Sequence, residues 1–179
     1  MAKQGIATGL LCAVFSSTSL GQTHSAKSYI THYAPIAQSM QAKTGIPASV
    51  ILGVAIIESG HGTSMNCLML KNHFGIKGTN HLPSQGINYH SVYRSYSCDE
   101  ASYGHFCTII QRKSYYPKLK GNLDYQNWLL KINSGYYSEA GMVWVNKIKR
   151  AIEIYHLTKY DEKREQLTCS PKMNWLHTI

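Results

Sequence analysis

The sequence predicts a mostly helical domain carrying one small β element (α+β). Three observations point there. Apolar residues recur at steps of three and four through most of the chain, which is the period of a helix with one buried face. Residues 48 to 62, "ASVILGVAIIESGHG", hold an apolar run too evenly greasy for a surface helix. Only one segment, "GTNHLPSQGINYHSVYRSY" at residues 78 to 96, trades that period for early turn residues and late alternation through Ile87, Tyr89, Ser91 and Tyr93.

The elements follow in order. Lys3, then the apolar "GIATGLLCAVF" (residues 5 to 15), then the small and polar "SSTSLGQ" form the three parts of a secretory signal peptide over residues 1–21. The apolar stretch is too short to span a bilayer. Thr23 or Ser25 can cap a first helix whose apolar face is Tyr29, Ile30, Tyr33, Ile36, Ala37 and Met40. "KTGIP" stops it, and Pro47 suits the first position of a second helix running to about Ser59, with Gly60 and Gly62 ending it. "TSMNCLMLKNH" predicts a short third helix. The segment after it reads as a β-hairpin or loop. Ser97 and Glu100 have the spacing of a capping box, and the helix they open carries Phe106, Ile109 and Ile110. Asp124 caps a helix bearing Trp128, Leu129 and Ile132. A last helix holds Val143, Trp144, Ile148, Ile152 and Tyr155, and residues 158–179 read as a polar, loose tail.

The chain has 179 residues, the length of one domain, and a formal net charge of +9. Removing residues 1–21 removes Lys3 and no acid, which leaves +8. Such a charge favours an anionic polymer as partner, and the export signal weighs against nucleic acid. The nine His are scattered without metal spacing, so no metal or other cofactor is expected. Cys67, Cys98, Cys107 and Cys169 outlast the signal peptide, and in an exported chain four Cys allow three full disulfide pairings. Cys98 and Cys107, roughly 13 Å apart along one helix, are too distant to pair. Cys98 lies near a helix start, but no partner pattern marks it as a nucleophile.

Glu58 carries the chemistry. It is the only Asp or Glu before Asp99. It falls in the last turn of the buried helix, where desolvation and the negative end of the helix dipole both raise a carboxyl's pKa. A carboxylic acid that keeps its proton near neutral pH is suited to general-acid work.

"IPASVILGVAIIESGHG", "NHFGIKG", "YRSYSCDEASY" and "GYYSEAGMVWVNKI" occur in that order over about residues 28 to 157. Together they resemble the bacterial N-acetylglucosaminidase domain of flagellar muramidases and autolysins, glycoside hydrolase family 73. The resemblance implies a lysozyme-like helical domain in which a small β-hairpin lobe flanks a substrate cleft, spanning residues 22–157. It implies an exported, monomeric peptidoglycan hydrolase that cuts the β-1,4 bond between N-acetylglucosamine and N-acetylmuramic acid and stays out of the membrane after signal cleavage. Glu58 matches the family's catalytic acid, and Tyr136 its cleft tyrosine, with Tyr137 as rival. Asn72, Phe74, Lys77 and Tyr89 would line the cleft or brace it, and Gly60 and Gly62 would leave room for the sugar chain. Trp144 stands where a Tyr is usual.

One departure bears on mechanism. Most two-carboxylate glycosidases place a base or nucleophile opposite the acid. Residues 78 to 92 contain no Asp or Glu, and the nearest acids, Asp99 and Glu100, sit where helix capping explains them. Attack by the substrate's own 2-acetamido oxygen or by a water held by Tyr136 remain as alternatives. So do two other functions: a wall-binding relative without activity, and an endo-N-acetylglucosaminidase on a non-wall glycan.

Overall fold

The computed structural model describes residues 19–161, apart from Ile87, Tyr136 and Ser138. Residues 1–18 of the expected signal peptide and residues 162–179 of the expected tail lie outside them. Among the described residues the fold is mostly helical. α1 (Ser19–Thr44), α2 (Ala48–Ser59) and α3 (Met65–Leu70) are followed by a long connection, then by α4 (Asp99–Gln111), α5 (Tyr116–Leu119), α6 (Tyr125–Ser134) and α7 (Gly141–Ile154). No described helix is long and apolar enough to cross a membrane.

α2 is the axis of the domain. Ala48 through Ile56 are all buried, so the even apolar run has its physical reason: α1, α6, α7 and the final 3-10 turn (Leu157–Tyr160) pack round it. Gly53 allows the closest of these approaches. A Cβ there would lie 2.9 Å from both Ile148 and Ile152 of α7. Pro47 precedes the helix, and Gly60 closes it in the left-handed conformation with its N–H donating to Ile56 O.

Three expectations are corrected. The capping box of Ser97 and Glu100 does not form. Cys98 holds the N-cap position of α4 without a side-chain cap bond, and the Ser97 carbonyl accepts from Lys71 Nζ at 2.8 Å. The helix starts one residue later than the box requires, and its first residue, Asp99, accepts from His73 Nε2 and Tyr33 Oη, both at 3.2 Å. The expected β-hairpin is, among the described residues, one antiparallel bridge between Lys77 and Tyr93 with a 3-10 turn at Pro83–Gln85. Gly78 N donates to Val92 O and Arg94 N to Ile76 O at that bridge, and side chains extend the tie: Asn80 Nδ2 donates to the carbonyls of Ser91 and Tyr93.

Residues 158–161, expected as part of the tail, instead pack with the domain. Leu157 is buried, and Asp161 Oδ1 accepts from Ser49 N at 2.7 Å, capping the start of α2 from 112 residues away. Asp161→Ala is expected to destabilise the domain by about 1–2 kcal/mol, read by urea denaturation, while Asp161→Asn keeps the acceptor and most of the stability.

Cys67, Cys98 and Cys107 are free thiols. Cys169 lies outside the described residues. Burial pushes the Cys67 and Cys107 thiols up to about 12, which leaves both inert near neutral pH. No group of three or more described His, Cys, Asp or Glu could hold a metal ion.

Candidate active site

The site is built where the apolar core reaches the surface at the C-terminal end of α2. Glu58 is half-buried there. Its Oε1 accepts from Trp144 Nε1 of α7 at 2.6 Å. Burial raises the carboxyl's pKa above its ordinary value, and the indole N–H offsets part of that rise. No described residue forms a salt bridge with Glu58. The group is therefore a desolvated carboxyl held by one neutral donor, with its pKa raised above the ordinary carboxyl value.

Its second oxygen looks onto backbone. A Cβ on Gly75 would lie 3.3 Å from Glu58 Oε2 and 3.8 Å from Tyr93 Cε1. Gly75 has φ +63, a conformation that L side chains rarely adopt. Glycine at 75 thus satisfies two demands: it turns the chain, and it leaves Oε2 clear of a side chain. Tyr93, one half of the bridge with Lys77, flanks the same spot and was not among the site residues expected from sequence; its place in the late alternation is the signal that could have marked it. Gly62 has a different role from the one expected. A Cβ there would meet the Tyr29 ring at 2.8 Å, so Gly62 makes room for Tyr29 and not for a sugar.

Asn72 anchors the turn that carries Gly75. Its Nδ2 donates to Ile76 O at 2.8 Å and Arg94 O at 2.9 Å, and its Oδ1 accepts from Phe74 N at 3.3 Å and Ile76 N at 3.1 Å. At 1% exposure it is a brace and offers no surface to a ligand. Phe74, also 1% exposed, stacks on Phe106 at 4.4 Å and 7° and meets Tyr103 edge-on at 4.9 Å. It is the floor beneath the turn.

Tyr137 joins the two sides. Its hydroxyl donates to Phe74 O at 2.8 Å, and its ring lies 5.6 Å from both Trp144 and Phe106. Burial holds its pKa well above the ordinary value, and the Glu58 charge adds to that. Its one proton is committed to Phe74, so Tyr137 walls the acid without exchanging protons. Tyr136 lies outside the described residues. Lys77 is exposed beside the bridge. Tyr89 turns its hydroxyl to Asn66 Oδ1 at 3.0 Å, where Ser91 Oγ also donates at 2.8 Å, so it ties the connection to α3. The structure thus brings Glu58, Phe74 and Tyr137 together with Asn72 in support, and sets Tyr89 on a separate contact.

Asp99 is not opposite Glu58 in any described contact. It belongs to a buried polar cluster behind the turn. Tyr29 Oη lies 2.7 Å from His73 Nδ1 and 3.1 Å from Tyr103 Oη, and Ser102 Oγ accepts from His73 N. This cluster secures the other side of "NHFGIKG" against α1 and α4.

A desolvated acid at the open end of a helical core, with a glycine turn laid across it, is an arrangement that a glycoside hydrolase can use. The chain belongs to the glucosaminidase family, mannosyl-glycoprotein endo-β-N-acetylglucosaminidase, whose model matches residues 34–157. The fold is similar to that of the catalytic domain of the autolysin Auto from Listeria monocytogenes, with a TM-score of 0.63 at 20% identity over 83% of this chain and 99% of that one. It is also similar to a C-terminally truncated glycoside hydrolase domain of FlgJ from Salmonella typhimurium, with a TM-score of 0.58 at 15% identity over 73% and 97%. An N-acetylmuramoyl-L-alanine amidase from Staphylococcus aureus aligns with a TM-score of 0.64 at 21% identity, over 78% of this chain but 44% of that chain. No curated protein sequence matches the chain.

Proposed function

We propose that the protein is an exported peptidoglycan hydrolase that cleaves the β-1,4 bond between N-acetylglucosamine and N-acetylmuramic acid, with Glu58 as general acid. The observation that carries this reading is the state of Glu58: desolvated, raised in pKa, and held by a neutral donor with no salt-bridge partner among the described residues. Those are the conditions under which a carboxyl protonates a leaving oxygen near neutral pH. Membership of the glucosaminidase family supplies the N-acetylglucosamine side of the bond. The autolysin and FlgJ glycoside hydrolase neighbours, the signal-like residues 1–21 and the +9 charge support a wall polymer as substrate.

Proton transfer to the glycosidic oxygen lets the bond to C1 break. Burial and the Trp144 hydrogen bond are what set the Glu58 carboxyl, with no acidic neighbour among their causes, and this favours routes in which C1 is taken by the substrate's 2-acetamido oxygen, with retention, or by water, with inversion. Proton NMR of the first-formed anomer separates the two.

Incubation with purified peptidoglycan tests the reading against a wall-binding relative. Steady release of soluble reducing ends is expected. Sedimentation of the protein with the wall and a flat time course would instead identify a binding module. Faster cleavage of chitin oligosaccharides than of peptidoglycan would assign a non-wall glycan.

A further inference from the structure

Trp144 reaches Glu58 from α7, at the position where the resembling family has Tyr. The exchange changes what the neighbour can do. A tyrosine hydroxyl donates or accepts, whereas an indole N–H only donates. At 2.6 Å from Oε1, Trp144 Nε1 makes that oxygen an acceptor. In a protonated carboxyl the carbonyl oxygen is the better acceptor, so a donor-only neighbour places the hydroxyl on the other oxygen.

We propose that Trp144 is a positioning residue that fixes the acidic proton of Glu58 on Oε2 and so selects the oxygen that protonates the glycosidic bond. This rests on Glu58 being the general acid. A second observation agrees with it. Oε2 is the oxygen that faces Gly75, where a Cβ would stand 3.3 Å away. One oxygen is thus sealed against an indole, and the other lies against the Gly75 backbone with the Tyr93 ring at its edge.

The step balances. The O–H bond at Oε2 breaks, and the proton bonds to the glycosidic oxygen. The electron pair of the C1–O bond leaves with that oxygen. The carboxylate left behind keeps the Trp144 N–H at Oε1, which becomes a charge-assisted and stronger bond as the proton departs. The donor therefore orients the acid before the step and stabilises its conjugate base after it. The other titratable groups facing Glu58 among the described residues are Tyr137, from the α6–α7 connection, and Tyr93, from the bridge. Tyr137 keeps its proton, and no described cation pairs with Glu58.

The test is carried out on the full chain with purified peptidoglycan. Trp144 is replaced by its sulfur isostere, β-(3-benzothienyl)alanine, which keeps the volume and lacks the N–H; Trp144→Phe and Trp144→Tyr are the genetic companions. For the isostere, kcat is expected to fall on the order of tenfold with KM little changed. The basic limb of the pH–rate profile is expected to move to higher pH, because the charged form has lost its donor. Trp144→Tyr should recover part of the rate. An isostere with wild-type kcat and an unmoved basic limb overturns the proposal. A loss of rate with an unmoved limb overturns it too, since that is the mark of a merely structural residue. If Glu58→Gln is inactive while the isostere is unaffected, only the role of Trp144 fails. If Glu58→Gln is active, the assignment of the acid itself fails.

Discussion

Glu58→Gln is expected to lower hydrolysis of purified peptidoglycan by on the order of a thousandfold, the middle of the range for loss of a positioned general acid. The substitution keeps the volume of the side chain and an oxygen for Trp144 Nε1, but the amide has no proton of suitable acidity. The same variant is expected to be at least as stable as the wild type at neutral pH. Burial raises the Glu58 pKa in the folded chain above the ordinary carboxyl value of 4.5. The folded state then holds this proton more tightly than the unfolded chain does. That contribution to stability is complete below pH 4.5 and is lost as pH rises through the raised folded value. Gln carries no charge, so its advantage opens as pH rises through that window and closes below it. Thermal melts of both proteins between pH 4 and 8, run beside the activity assay, check both halves. A variant that is inactive and also less stable at neutral pH would make Glu58 a structural residue.

Asn72→Ala gives the largest expected effect on stability. The side chain is 1% exposed and makes four hydrogen bonds to the backbone of residues 74, 76 and 94. Alanine leaves two buried carbonyls and two N–H groups without these partners, at about 1–3 kcal/mol for each group that finds no substitute. With partial rescue by water, a net loss of about 3 kcal/mol is expected, or about 10 °C in Tm for a domain of this size. Asn72→Asp keeps the acceptor and loses both donated bonds, so it should fall between. Activity is expected to drop below what the lost stability explains, because the turn that sets Gly75 over Glu58 Oε2 is released. Urea denaturation, followed by assays at a temperature where the variant is still folded, separates the two losses.

What was legible in the sequence was local. α2 could be read from its run of apolar residues, from Pro47 ahead of it and from Gly60 behind it, because each of those signals acts within a few residues of the helix. Glu58 stood out because a lone acid at the end of such a helix contradicts its surroundings. The long-range partners were not legible. Trp144 donates across 86 residues of chain, and nothing near either residue encodes the pairing; only its substitution for a family Tyr marked the position. The Ser97–Glu100 box fits its pattern and still fails, because α4 starts one residue later, with Cys98 at the N-cap and Asp99 tied to His73 and Tyr33. Gly62, expected to leave room for a sugar chain, instead admits Tyr29, while Gly75, the fourth residue of "NHFGIKG", is the glycine that lies against Glu58 Oε2. Asp161 looked like part of a polar tail, yet it caps α2. In each case a local signal was correct about the residue's chemistry, and the fold decided where that chemistry was used.

The central claim is that Glu58 delivers the proton that breaks the bond on the reducing side of N-acetylglucosamine. Mass spectrometry of borohydride-reduced digests of purified peptidoglycan, made with the wild type and with Glu58→Gln side by side, tests it directly. Fragments ending in N-acetylglucosaminitol from the wild type, and none from Glu58→Gln, are the predicted result. Fragments ending in N-acetylmuramitol, or equal digestion by the two proteins, would contradict it.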